Sequence, residues 1–214
     1  MCGRYATGET TWEQYRAWLN LTGEPPRSNL EPRFNIAPTA QAPFAMDADG
    51  QRTLTFGRWG IWQPWIDGKR LSTFNARAEG LESSRLYASL LARGRCLVPA
   101  MGFYEWTGPK GKRQPHFIHH ASEPLLVFAG LWASAMKDGE PVTSFTIITC
   151  PANAQMTPIH DRMPVILDAN TREAWMGGAD PASVLEPWAG ELEIYPVRPL
   201  KAEDGPHQVA PIPQ

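Results

Sequence analysis

The chain opens Met1-Cys2-Gly3-Arg4-Tyr5. With Met1 removed, Cys2 carries a thiol and a free α-amine on adjacent carbons. That pair condenses with an aldehyde, first to an imine and then to a closed five-membered thiazolidine. An α-amine titrates near ~8, against ~10.4 for lysine, so a useful fraction is neutral and nucleophilic at neutral pH without burial. Three further segments combine polar functional groups with turn residues: Phe74-Asn75-Ala76-Arg77-Ala78-Glu79, Gly102-Phe103-Tyr104-Glu105-Trp106 and Ile159-His160-Asp161-Arg162-Met163-Pro164.

Each of these segments has a chemical reading and a structural one. Strand alternation puts Phe103 and Glu105 on one face and Tyr104 and Trp106 on the other. A carboxyl turned toward an aromatic interior has a raised pKa and suits general acid/base work; the alternative is an edge-strand carboxylate facing water. His160, between Pro158 and Pro164, is an acid/base candidate or a loop residue held by its backbone. Asp161 is not counted on to orient it, because adjacent residues in an extended loop point apart. Asn75 can hold an amine or a sugar hydroxyl, or cap a turn. Arg4, Arg77, Arg85 and Arg162 stand beside these segments and together would bind an anion, phosphodiester first; otherwise they are scattered surface charge. In Trp59-Gly60-Ile61-Trp62-Gln63-Pro64-Trp65, Trp59 reads as core, while Trp62 or Trp65 at a loop tip can stack on an unpaired base.

Several elements must position these groups. Thr10 or Thr11 caps a helix to Leu19, with Trp12, Tyr15, Trp18 and Leu19 on one face. Residues 22–32 read as a proline-rich loop. Residues 41–46 and 51–59 form a hairpin turning at Asp49-Gly50. Ser83 or Ser84 caps a helix to Arg93, closed by Gly94 at C′. Strands follow at 96–98, 102–107, 115–119, 125–132 and 144–150, with a turn from Gly108 to Gly111. Then come a strand at 165–167, a helix near 171–176, a short helix after Asp180-Pro181 and a strand at 192–197. This is an α+β chain, mainly antiparallel β with several short flanking helices. One domain is expected over residues 1–214, with about 203–214 as a loose carboxyl-terminal tail.

Composition narrows the class. Among 214 residues, hydrophobic content of 43% and charged content of 20% are ordinary for a globular chain. No apolar run approaches the roughly 20 residues of a membrane-spanning helix, and no signal peptide opens the chain; a cytoplasmic protein is expected. Cys2, Cys96 and Cys150 are an odd, widely spaced set without a Cys-x-x-Cys pair, so neither a disulfide framework nor a metal site is expected. Cys96 and Cys150 read as buried small apolar residues in strands. Net charge is −2, yet residues 51–120 hold eleven Lys/Arg against four Asp/Glu, and residues 168–214 hold three against eight. Such segregation permits a basic face on an acidic protein.

MCGRY, FNIAPT (34–39), WGIWQPW (59–65), FNARAEG (74–80), LVPAMGFYEW (97–106) and TPIHDRMPVIL (157–167), in this order over nearly the whole chain, resemble the SOS response-associated peptidase (SRAP) family. The resemblance implies a barrel-like fold and a protein that shields abasic sites in single-stranded DNA. It also implies self-removal of Met1, active-site residues Cys2, Asn75, Glu105 and His160, and phosphate contacts at Arg4, Arg77, Arg85 and Arg162. Pro38 and Trp65 are carried over as further DNA contacts, without cofactor or metal, and a monomer is expected. Gly80 departs from the commoner Thr after ARAE, and the 59–65 loop varies in the family, which leaves the stacking residue open.

The chemistry so implied has four parts. His160 moves a proton as the abasic sugar opens. The Cys2 amine attacks the aldehyde, Glu105 serves as acid/base, and the thiol closes the ring, with nearby Arg expected to favour thiolate. A papain-like thiol hydrolase using Cys2, His160 and Asn75 is the alternative and would need no free amine. A non-covalent module for single-stranded or modified DNA is the third reading.

Overall fold

The computed structural model describes residues 2–26, 30–66 and 73–213. Met1, residues 27–29 of the proline-rich loop and Gln214 of the tail lie outside the described residues. The strands are β1 (Tyr5–Ala6), β2 (Gln41–Ala48), β3 (Gln51–Trp59), β4 (Asn75–Arg77), β5 (Arg95–Ala100), β6 (Gly102–Thr107), β7 (Gln114–His120), β8 (Leu126–Lys137), β9 (Glu140–Pro151), β10 (Arg162–Pro164) and β11 (Leu192–Pro196). The helices are α1 (Trp12–Leu19), α2 (Ala88–Arg93) and α3 (Ala169–Met176).

Five strands close on themselves in the order β9-β3-β2-β5-β8 and back to β9. Closure removes the free edges that an open sheet leaves. All these pairings are antiparallel except β3–β9, and β4 also joins β9 in parallel. A second, four-stranded sheet runs β1-β6-β7-β11. The two sheets meet through aromatic edges: Tyr5 of β1 lies 5.0 Å from Trp59 of β3, and Phe103 of β6 lies 5.9 Å from Phe128 of β8, both nearly perpendicular. Such T-shaped pairs add ~0.5–1.5 kcal/mol beyond burial. The amino terminus enters along this seam.

Local sequence accounts for most of the elements. Thr11 caps α1 with a full capping box to Gln14, an arrangement worth ~1 kcal/mol. The β2–β3 hairpin turns at Asp49-Gly50, both at positive φ (51° and 75°), as a type I′ turn requires. A second such hairpin turns at Asp138-Gly139 (φ 50° and 86°) and carries β8 and β9 well beyond the expected 125–132 and 144–150.

Three expectations are corrected. The helix expected from Ser83 or Ser84 becomes regular only at Ala88, because the Ser84 hydroxyl holds a local turn by accepting from the amides of Leu86 and Tyr87. Gly94 is not left-handed (φ −130°); a Cβ there would stand 2.4 Å from the Trp132 carbonyl oxygen, so close approach requires the glycine. The strand expected at 165–167 lies at Arg162–Pro164 instead, and Ile166 makes only an isolated bridge to Phe128. This run wedges between β8 and β9 where they part: Val165 N–H donates to Ile148 O and Ala129 N–H to Val165 O.

The carboxyl-terminal stretch also differs from a loose tail. Val197 bridges to Pro211, and the Ile212 amide donates to the Pro196 carbonyl. Buried Gln208 donates to the carbonyls of Lys201 and Glu203 and accepts from the Lys201 amide. Asp204 accepts from the Phe34 amide and pairs with Arg33. Polar residues here satisfy backbone groups rather than water, which a polar composition does not announce.

Candidate active site

Cys2 lies in the seam and is fully buried. Its two flanks come from the two sheets. On the barrel side, β4 hydrogen-bonds along β9, with Asn75 opposite Ile147. That pairing aims the buried Asn75 amide at the amino terminus, where Nδ2 donates to the Cys2 carbonyl at 2.7 Å. Asn75 Oδ1 is buried and has no hydrogen-bond partner among the described residues. On the other side, Tyr5 pairs with Phe103, and the Tyr104 amide donates to the Arg4 carbonyl. Continuing this antiparallel register brings Gly3 level with Glu105.

The alternation expected in β6 holds. Phe103 packs into the core shared with the barrel, while Tyr104 packs with Phe117 and Val197 and has Trp106 against its cluster. Glu105 is 3% exposed, so it is an interior carboxyl and not an edge group facing water. Burial pushes its pKa above the usual carboxylate range, with nearby His160 opposing part of the shift.

Burial also drives the Cys2 thiol pKa well up, and the charge of Glu105 adds to this. The expected activation of the thiolate by neighbouring Arg is therefore corrected: the strongest influences on this thiol favour the neutral S–H form.

His160 is fixed by a backbone turn in which its amide donates to the Met156 carbonyl. Its ring Nδ1 lies 2.9 Å from the Arg162 amide and 2.8 Å from Asp161 Oδ1. The amide contact needs a lone pair on Nδ1 and so leaves the proton on Nε2; the Asp161 contact needs the proton on Nδ1. Neighbouring Asp161 thus does reach the ring, contrary to the extended-loop argument, because residues 156–160 turn. Glu105, His160, Gly3 and Arg4 line one cleft of about 600 Å³, together with Trp106, Arg113, Pro199 and Leu200.

The structure separates the four expected phosphate contacts. Arg4 lines the cleft, with Nη1 donating to the Gly3 carbonyl. Arg77 is exposed on β4. Arg85 lies over the Trp65 ring at 5.4 Å, and Trp65 is 40% exposed. Pro38 is half-buried, beyond the Ile36 bridge to Tyr5. Arg162 is different. Its guanidinium grips both Glu79 oxygens and donates to the Thr149 carbonyl, and its side chain is 12% exposed. It joins β10 to the turn after β4, with both terminal nitrogens paired and the buried Nε without a partner among the described residues. Trp59 is core, as read from the sequence, with Nε1 donating to the Phe74 carbonyl.

No group of three or more His, Cys, Asp or Glu able to hold a metal occurs among the described residues. His116 and His120 are four apart, but on extended β7 that is ~13 Å of strand. No helix among the described residues is long and apolar enough to cross a membrane.

Residues 1–200 match the family model of the SOS response associated peptidase, SRAP. The abasic site processing protein YoqW of Bacillus subtilis (strain 168) is 34% identical over 211 residues, covering 94% of this chain and 93% of that protein. The abasic site processing protein YedK of Escherichia coli (strain K12) is 32% identical over 180 residues, covering 82% and 79%. The crystal structure of a phage-related protein from Bordetella bronchiseptica aligns with TM-score 0.70 at 31% identity over 92% of this chain and 95% of that one. A Bacteroides thetaiotaomicron protein aligns with TM-score 0.75 at 23% identity, covering 84% and 85%, a likeness of fold.

Proposed function

The chain belongs to the SOS response associated peptidase family, and from that premise we propose that it captures abasic sites in single-stranded DNA through Cys2. YoqW and YedK, the relatives named above, are described as abasic site processing proteins. The observation that carries the reading is the pairing at the seam: Asn75 grips the Cys2 carbonyl while a buried carboxyl, Glu105, stands beside the thiol.

Loss of Met1 frees the Cys2 α-amine, and His160 moves a proton at the sugar ring oxygen as the ring opens. The amine adds to the aldehyde carbon to give a carbinolamine. Glu105, whose pKa burial raises, gives a proton to the departing hydroxyl, which leaves as water, and takes one from the nitrogen, so that an imine remains. The Cys2 sulfur then bonds to that carbon, its proton passes to the nitrogen, and the thiazolidine closes. One water is lost overall, and no oxidant or reductant is needed. Asn75 fixes the main chain of the nucleophile, and Oδ1 offers an acceptor to an amine proton. Holding the nucleophile in a near-attack geometry supplies much of the rate. Burial and Glu105 favour the neutral thiol in the chain that still carries Met1, and an order in which the amine acts first needs no thiolate at the outset.

A papain-like hydrolase requires an imidazolium beside the sulfur to favour thiolate. The strongest influences on Cys2 are burial and Glu105, and both favour the thiol. The test is incubation with a single-stranded oligonucleotide bearing one abasic site, followed by intact-mass spectrometry. The expected product is the protein less Met1, joined to the DNA with loss of one water. Reversible binding without an adduct would reduce the protein to a DNA-binding module, and peptide turnover with Met1 retained would restore the hydrolase reading.

A further inference from the structure

The β6–β7 hairpin carries a basic tip that the site described so far does not use. Its sequence is Thr107-Gly108-Pro109-Lys110-Gly111-Lys112-Arg113, and no Asp or Glu occurs from Trp106 through Ser122. Lys110, Lys112 and Arg113 are all exposed. None of the three has an ion-pair or hydrogen-bond partner for its side chain among the described residues. Arg33, Arg52 and Arg162, by contrast, each have a carboxylate.

The tip is built to stay in place. Gly108 and Gly111 take positive φ (86° and 90°), and the Lys112 amide donates to the Pro109 carbonyl. Below it, Thr107 pairs with Gln114, Trp106 with Pro115 and Glu105 with His116. The basic tip is therefore the outward continuation of the strand that holds Glu105. Arg113 itself lines the cleft shared by Glu105 and His160, facing a wall completed by Pro199 and Leu200. That wall belongs to the strap whose Lys201 is held by Gln208 and by Asn35.

Three unpaired cations on a short, rigid hairpin would attract a polyanion at any site. Beside a cleft proposed to receive a sugar from a DNA strand, the polyanion is the strand itself. We infer that the β6–β7 tip is a phosphate-binding finger for single-stranded DNA, with Arg113 contacting a phosphate next to the captured sugar and Lys110 and Lys112 contacting phosphates farther along. Arg77, on β4, lies on the barrel flank of Cys2, and the finger extends from the second sheet. The strand would then be held on both sides of the lesion.

The inference rests on the proposed action on single-stranded DNA but not on covalent capture, and the test separates the two. Binding of an undamaged fluorescent oligonucleotide is measured by anisotropy across a salt series. The proteins are the parent, the triple variant Lys110→Ala, Lys112→Ala, Arg113→Ala, and a charge-keeping variant with Lys110→Arg, Lys112→Arg and Arg113→Lys. Single strands lose about 0.7 in the slope of log K against log salt per phosphate neutralised, so the alanine variant should lose about 2. The charge-keeping variant should retain the parent slope. An alanine variant with the parent's affinity and slope would overturn the finger, as would a parent without salt-dependent binding. The abasic-site adduct, scored separately by mass, decides the capture reading whichever way the slopes fall.

Discussion

Cys2 and Cys96 are both fully buried, and burial raises both thiols well above the ordinary range. Cys96 lies in β5 with the barrel around it, and burial alone accounts for its shift. Cys2 lies between two sheets, with Asn75 bonded to its carbonyl and Glu105 acting on its sulfur. By thiol chemistry alone the two would be equally inert. What separates them is the expense of burying an amide and a carboxyl beside one of them and not beside the other. Burying such groups without full compensation costs kcal/mol; a chain that keeps them at one cysteine has a use for them there. Burial of the thiol favours the proposed order, in which the amine and not a thiolate leads the chemistry at Cys2.

The largest expected effect is Cys2→Ala, which should abolish the heat-stable adduct with abasic DNA on a denaturing gel. Cys96→Ala should leave the adduct yield per folded molecule unchanged while destabilising the barrel by about 1 kcal/mol in a thermal melt. An adduct that survives in Cys2→Ala, or disappears in folded Cys96→Ala, would break the comparison outright.

Glu105→Gln comes next. It removes the proposed acid/base but keeps the shape, and adduct formation should slow by ~10²- to 10⁴-fold in single-turnover time courses. The same change carries a stability signature of opposite sign. A carboxyl whose folded pKa is raised binds its proton more tightly in the native state, so its contribution is full below the ordinary pKa of 4.5 and is lost as pH rises through the folded value. Glutamine does not titrate. The melting temperature of Glu105→Gln relative to the parent should therefore climb as pH rises above 4.5; a flat difference would mean that Glu105 is not strained by burial.

Asn75→Ala should have a smaller effect, through positioning. It leaves the Cys2 carbonyl without its donor in a buried place, at a cost of ~1–3 kcal/mol. Adduct formation should slow while the final yield, given time, approaches that of the parent. Unchanged kinetics would assign Asn75 to the turn alone.

Much of this site was legible in the sequence because its signals are local. Alternation along β6 put Glu105 on the face of Phe103, though it left open whether that face met water, and Asp-Gly at 49–50 was enough to fix a hairpin. What escaped depends on partners far along the chain. Arg162 reads as a free cation until the fold brings Glu79 to it across 83 residues. The thiol of Cys2 reads as activated by arginine until burial is known. The tail reads as loose because its polar residues look solvated, yet Asp204 and Gln208 bond to backbone groups of Phe34, Lys201 and Glu203. The reach of Asp161 to His160 was missed for a local reason: the turn from Asn153 to His160 carries no glycine to announce it.

The finest separation between the two cysteines is electrostatic. Native-state alkylation by iodoacetamide, read peptide by peptide in a mass spectrometer, should be slow at both, since neither thiol ionises readily in its buried setting. Replacing Glu105 by Gln removes a negative charge that acts on Cys2 and is not among the causes acting on Cys96. The Cys2 thiol should then ionise more easily and alkylate a few-fold faster, with Cys96 unchanged. The gain should vanish at acid pH, where Glu105 in the parent is protonated and has no charge to remove, and should grow as pH rises. Equal acceleration at both cysteines would mean that the substitution had loosened the fold. No acceleration at either would mean that burial alone sets both thiols, and the difference between them would rest entirely on the amine and on Asn75.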